Sequence, residues 1–500
     1  MKRLSWPALS RWFGRRRRRP NVVWICADDY NPSVSGTYGS PTARTPNLDR
    51  LASRGLRFDR AYCSCPLSTP SRMSFLTGRY PRSVGVTLSP TPLPDHEVTI
   101  GRLLGDAGYA TVALGKTHYY KPLAREFDRC LDLREFYTHL ASGDRELFPD
   151  GVELLGPWAP FGDPASVWLN AAGLPYAFDA EMPDTFFSGR AEEFLAGRPP
   201  RPFFLWVGFY VTHAPFRFPV ESRGLFDPAA FPVPEVGPED EGRVPEVFRD
   251  LTGADKRGII ASYHTSVAYM DRNLGSILKA LDRAGLADDT LVIFNSDHGY
   301  LLGEHGRFEK HCCHEEAVRT ALVMRLPGLI EPGGATSALV ELVDVVPTVL
   351  ELCGAEIPAQ VQGRSLAPLL RGESSTHRDL VISEYADNAE AMVRTDRWKL
   401  IHCAGNRRRR DGYAVGRDLP GPSTRLYDLL ADPSELRDVA GLAENREVVD
   451  RLLGVLAAHM KATDPDPASI PESDDPRAIL RACLLPTDGW ARDRFLQSES

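Results

Sequence analysis

Apolar residues recur along this chain in two periods. Short β-branched and aromatic runs at 21–27, 110–115, 203–211 and 290–295 alternate with stretches whose apolar positions repeat every three to four residues. That alternation predicts an α/β fold with a large, mostly parallel central sheet. Helices are expected at 45–55, 99–108, 184–196 and 262–285; the first has Thr45 as cap, Pro46 in its opening turn and Gly55 to end it. Beyond about residue 375 the pattern changes to short β runs at 380–385, 391–395, 398–402 and 425–428, then a helical stretch at 445–461. This predicts a small C-terminal antiparallel sheet with one covering helix. The expected organisation is a basic, disordered arm at 1–19, an α/β domain at 20–374, an α+β subdomain at 375–464 and an extended tail at 465–500.

Composition narrows the class. With 500 residues, 43% apolar and 25% charged, the chain suits a globular protein of one large and one smaller unit. Its longest apolar run is too short to span a bilayer, so no membrane segment is expected. The first twenty residues hold eight Lys or Arg and no acid, whereas the whole chain carries −8. A basic leader fits the start of an export signal, but these arginines run into Pro20 without an apolar h-region. A solvated arm is expected instead, and the acidic body speaks against a nucleic-acid partner. Nine scattered cysteines with no C-x-x-C pair argue against a disulfide framework, and a cytoplasmic location is expected.

Candidate chemistry follows the strands. Asp28-Asp29 come after the first, Lys116-Thr117-His118 after the second, His213 after the third and Asp297-His298 after the fourth. Open α/β sheets bind ligands beyond the carboxyl ends of their strands, so these clusters are expected to converge. Asp28, Asp29 and Asp297 would repel one another without a cation, and oxygen donors suit Ca²⁺ or Mg²⁺. The stretch from Cys63 to Arg79 adds Ser68 just ahead of a helix start marked by Pro70. There it could serve as an N-cap, or as a nucleophile at the positive helix end beside Arg72.

Ser68-Thr69-Pro70-Ser71-Arg72 followed by Leu76-Thr77-Gly78-Arg79 resembles the signature of the formylglycine-dependent sulfatases. In that family the Cys or Ser of the motif is oxidised to formylglycine, whose hydrate is the nucleophile. The resemblance implies an alkaline-phosphatase-like sandwich, formylglycine from Ser68, and a radical-type maturating enzyme as partner, because the site is Ser and not Cys. Asp28, Asp29, Asp297, His298 and Ser68 match the ligands of one divalent ion, usually calcium; His298, where some members have Asn, leaves Mn²⁺ open beside Mg²⁺. Arg72, Lys116 and Lys310 match the groups that hold sulfate, His118 the base and His213 the histidine facing the leaving oxygen. The segment from Leu426 to Glu435 resembles an element of the family's C-terminal subdomain.

The implied activity is hydrolysis of a sulfate ester of carbohydrate, choline or an aryl alcohol. A phosphonate monoester or phosphodiester hydrolase of the same superfamily is the alternative, as is a non-catalytic sulfate-ester binder if Ser68 stays unoxidised. A two-metal enzyme using Ser68 directly lacks a second full ligand set in the sequence. Two further runs remain. His311-Cys312-Cys313-His314 has the wrong spacing for zinc and is expected to line the mouth beside Lys310. Arg407 to Arg410 is expected as a solvated loop or an anion-collecting rim.

Overall fold

Strand β1 (Asn21–Ala27) occupies the middle of the molecule because both of its faces are apolar. Val22, Trp24 and Cys26 enter one core, and Val23, Ile25 and Ala27 enter the other. A strand buried on both sides needs helices on both sides. The computed structural model describes residues 19–142, 178–405, 421–489 and 493. Most of the basic arm and the Arg407–Arg410 run lie outside them.

The strands in chain order are β1, β2 (Leu56–Phe58), β3 (Ala61–Tyr62), β4 (Ala110–Gly115), β5 (Arg129–Leu131), β6 (Phe203–Gly208), β7 (Thr290–Ser296), β8 (Arg319–Thr320), β9 (Leu322–Arg325), β10 (Gly334–Thr336), β11 (Val340–Glu341), β12 (Val381–Tyr385), β13 (Glu390–Arg394), β14 (Trp398–Cys403) and β15 (Ser423–Asp428). Eight of them form one sheet in the order β10-β2-β9-β7-β1-β6-β4-β5, with β9 antiparallel to both of its neighbours. From β7 to β5 every pairing is parallel, so those carboxyl ends share one edge. A separate antiparallel sheet, β12-β13-β14-β15, carries the helix Arg446–Thr463 on its outer core. A large, mostly parallel sheet with a small antiparallel one is what the alternation of patterns predicts, and it agrees with the alkaline-phosphatase-like sandwich that the resemblance implies.

Four boundaries differ from the sequence reading. The third long strand ends at Gly208, leaving residues up to His213 as a loop. The helix expected from 262 starts at Gly253, where Thr252 and Asp255 form a reciprocal capping box. Ser68 is the first residue of the helix Ser68–Thr77 and does not precede it. The tail is not wholly extended: the helix Pro476–Cys483, capped by Asp475, buries Leu480 and Cys483 in the C-terminal core. Among the described residues, no helix is long and apolar enough to cross a membrane.

Two local features hold the site-bearing edge in place. The helix Ser68–Thr77 is buried along its whole length and stops at Gly78, whose φ of 71° favours glycine. At the ends of β4 and β6 the backbones touch: Lys116 N donates to Gly208 O at 2.8 Å. A Cβ on Gly208 would lie 1.9 Å from Lys116 O. Gly208→Ala should therefore push Lys116 out of position and cost about 1–3 kcal/mol by overpacking, read as a lower urea midpoint with unchanged m.

Candidate active site

The shared carboxyl edge gathers the charged residues. Asp28 and Asp29 follow β1, Asp297 and His298 follow β7, Lys116 follows β4, and the loop after β6 brings His213. Asp28, Asp29, Asp297 and His298 are fully buried, and each offers a ligand atom within 4.8 Å of the others. Ser68 enters from the helix on one face, with Oγ 3.0 Å from Asp28 Oδ1 and 2.9 Å from His298 Nε2.

Three cations offset the buried acids. Arg72, itself without exposure, donates from Nε to Asp297 Oδ2 at 2.8 Å, lies 3.4 Å from Asp28 Oδ1, and donates from Nη1 to Lys116 O at 3.0 Å. Lys116 Nζ donates to Asp28 Oδ2. Lys310 Nζ donates to both oxygens of Asp29 at 2.5 and 2.6 Å. Burial favours the neutral acid at Asp28, yet Lys116 and Arg72 hold its carboxyl well below the usual range.

The imidazoles are held neutral. His298 Nδ1 donates to Gly299 O at 2.9 Å, because a carbonyl only accepts. Its Nε2 lone pair therefore faces Ser68 and Asp29, the orientation a metal ligand needs. His213 Nδ1 likewise meets Ala214 O, and its Nε2 lies 3.9 Å from Asp29 Oδ2. Burial, then Lys310, pulls His213 down to about 3. His118 is pushed well below its ordinary value by burial and then Lys116. Its Nε2 shares a 2.6 Å hydrogen bond with Tyr120 Oη, and its buried Nδ1 has no hydrogen-bond partner. His213 is partly open, at 30% exposure.

The residues singled out from sequence thus meet in one place. The donor set fits one hard divalent ion: three carboxylates, a lone pair whose tautomer is fixed, and the Ser68 oxygen. Strained backbone helps to set it, since Asp29 and His118 are non-glycine residues at φ of 53° and 67°. Sequence reasoning missed the supports. Ser71 Oγ donates to Asp297 O, Thr212 Oγ1 to Asp28 O and Tyr263 Oη to Asp29 O. Thr212 and Ser71 adjoin residues already singled out; Tyr263, on the long helix, carries no local signal. The run His311 to His314 is buried and does not line a mouth: His311 turns to Glu309 and His314 to Glu435.

An acid cluster able to take a metal at the carboxyl edge of such a sheet, with a helix-borne hydroxyl above it, defines an alkaline-phosphatase-like hydrolase. Comparison with known proteins narrows that class. The sulfatase family model matches residues 20–355, and one described as N-sulphoglucosamine sulphohydrolase, C-terminal, matches residues 303–462. The chain belongs to the sulfatase family and is a sulfatase. It is 31% identical to a steryl-sulfatase of Mus musculus, covering 91% of this chain and 84% of that one. A solved complex with the substrate D-glucosamine-2-N,6-O-disulfate superposes with a TM-score of 0.71 at 25% identity, over 90% and 99% of the two chains. The phosphonate monoester hydrolase of Agrobacterium radiobacter gives 0.72 at 25% identity, over 88% and 96%.

Removing one cation from so buried a cluster strands its acids. Arg72→Met should cost about 3–5 kcal/mol in urea denaturation, because Asp28 and Asp297 lose their shared guanidinium. Added divalent cation should recover part of that loss.

Proposed function

We propose that this sulfatase hydrolyses a sulfate ester to alcohol and sulfate, using formylglycine formed from Ser68 and one divalent cation. The observation that carries the reading is the position of Ser68 Oγ, at 3.0 Å from Asp28 and 2.9 Å from His298. Oxidised to a hydrated aldehyde there, residue 68 would supply one hydroxyl to attack sulfur and a second whose deprotonation releases sulfate. The cation, calcium by its oxygen-rich donors with Mg²⁺ or Mn²⁺ as variants, would be held by Asp28, Asp29, Asp297, His298 and residue 68 and would polarise sulfate oxygens.

The chain's own groups divide the remaining work. Arg72, Lys116 and Lys310 converge on the acids that flank the nucleophile, so sulfate oxygens entering there meet three positive charges. A cation on the carboxylates would take over part of the charge that Lys116 and Lys310 offset, which would leave both ammonium groups available to the sulfate. His118, kept neutral by burial and Lys116, accepts the proton of the second hydroxyl at Nδ1. His213, partly exposed, faces the leaving alcohol. A radical-type maturating enzyme is the partner that a serine site needs, and the substrate is a sulfate monoester. Solved relatives include phosphonate monoester hydrolases, so the phosphodiester reaction is the reading to measure against.

Mass spectrometry of the tryptic peptide from Ala61 to Arg72 in protein from its native host should show loss of two hydrogens at Ser68. Intact serine in active protein would overturn the formylglycine mechanism. On an aryl sulfate, Lys116→Ala should lower kcat about 10²–10³-fold, and chelator should remove activity that calcium restores. Faster turnover of an aryl phosphodiester than of the sulfate would favour the alternative.

A further inference from the structure

His118 is not alone in holding left-handed backbone beside the site. Tyr120, two residues on, does the same at φ 50°, against 67° at His118. Neither is glycine, so each holds a conformation that its Cβ disfavours. Two such residues in one turn persist only where other contacts over-determine them. One contact is between the two side chains: the turn folds the Tyr120 ring back toward the His118 ring, with centroids 4.8 Å apart, and sets Tyr120 Oη 2.6 Å from His118 Nε2. The contacts continue to the helix that carries Ser68. Ser89 and Thr69 hydrogen-bond the Tyr120 side chain, and their own hydroxyls are 2.7 Å apart. Thr69 follows Ser68 in the first turn of that helix, so a run of hydroxyls joins His118 to the nucleophile's own segment.

The direction of these bonds follows from the other ring nitrogen. His118 Nδ1 is buried with no hydrogen-bond partner among the described residues. A buried N–H without an acceptor is rarer in proteins than an under-used lone pair. The single proton of the neutral ring therefore belongs on Nε2, where Tyr120 Oη accepts it. Burial raises the Tyr120 phenol above its ordinary value, so it keeps its own proton, which it can give to Ser89 or Thr69. Were Tyr120 to donate to Nε2 instead, Nδ1 would carry the proton and could accept none.

We propose that Tyr120 is a positioning residue for sulfate release: by accepting from His118 Nε2 it fixes the tautomer and ring orientation in which His118 Nδ1 is the base. The inference rests on the formylglycine reading and on His118 as its base. In that step the free hydroxyl of sulfated residue 68 gives its proton to Nδ1 and the electron pair of its O–H bond forms the C=O bond. The C–O bond to sulfate breaks, and its electrons leave with sulfate. The imidazolium keeps Nε2–H on Tyr120 and returns the Nδ1 proton to water. Attack on sulfur uses the other hydroxyl, so only the second half of the reaction depends on Tyr120.

The test separates the two halves of turnover. Full-length protein is assayed on p-nitrophenyl sulfate, whose good leaving group speeds the first half, with rates referred to the fraction of residue 68 that mass spectrometry finds as formylglycine. Tyr120→Phe keeps the ring and removes the hydroxyl. It should lower kcat about 10–100-fold, a part of what a general base supplies. KM should fall by the same factor, leaving kcat/KM unchanged, and a burst of about one nitrophenol per matured site should precede the slow phase. Ser89→Ala should act in the same direction more weakly. In His118→Ala, already slow in that step, adding Tyr120→Phe should change nothing further. Unchanged kcat in Tyr120→Phe, a fall in kcat/KM with no burst, or a full further loss in the His118→Ala background would overturn the proposal and leave the formylglycine reading standing. Intact serine in wild type that turns over would overturn both.

Discussion

Three carboxylates buried at the end of a parallel sheet are the constraint on which this structure turns. Asp28, Asp29 and Asp297 have no exposure, and their mutual repulsion in a medium of low dielectric would be prohibitive if nothing opposed it. Arg72, Lys116 and Lys310 oppose it, each drawn from a different part of the chain. The arrangement explains why a helix with no exposed face runs into the sheet edge: it carries Arg72 and Ser68 to the acids together.

Keeping such a cluster rigid requires close backbone contact around it. Gly115 and Gly208 let β4 and β6 meet without side chains between them, which fixes where Lys116 leaves the sheet. Asp29 and His118 hold left-handed backbone without glycine's freedom. Tyr263 offsets part of that strain at Asp29 by donating to its carbonyl and accepting from Asn31 N. Strain of this kind survives only where surrounding contacts over-determine it, and it concentrates at functional sites.

The same segment that supplies Lys310 also touches the small sheet and the loop after it. Glu390 accepts from Cys313 N, and Glu435 faces His314 and Glu315 N. The C-terminal sheet is therefore more than an appendage, because it braces the strand-to-strand connection that completes the acid cluster. Arg82 adds a further tie, pairing with Glu384 of β12 and with Asp464 after the C-terminal helix.

Much of this was legible in the sequence because it depends on local order. Continuous apolar strands followed by acids or bases place those residues at one sheet edge whatever the details, and the Ser68 to Thr77 part of the motif carries its own geometry as one helix. Segment ends were less legible. The helix from Gly253 was read as starting at 262 because its first turns lack an apolar stripe, although Thr252 and Asp255 were there to mark the cap. The helix Pro476–Cys483 was missed because a short amphipathic turn in a Pro- and Asp-rich stretch is stabilised by the core it packs on, not by its own propensity. Only the tertiary structure could decide contacts between distant segments: that Tyr263 supports Asp29, that His314 stacks on the His305 ring, and that Arg72 bridges two acids. The physical reason is that a buried charge or hydrogen bond is set by which groups burial brings together, and spacing along the chain does not encode that.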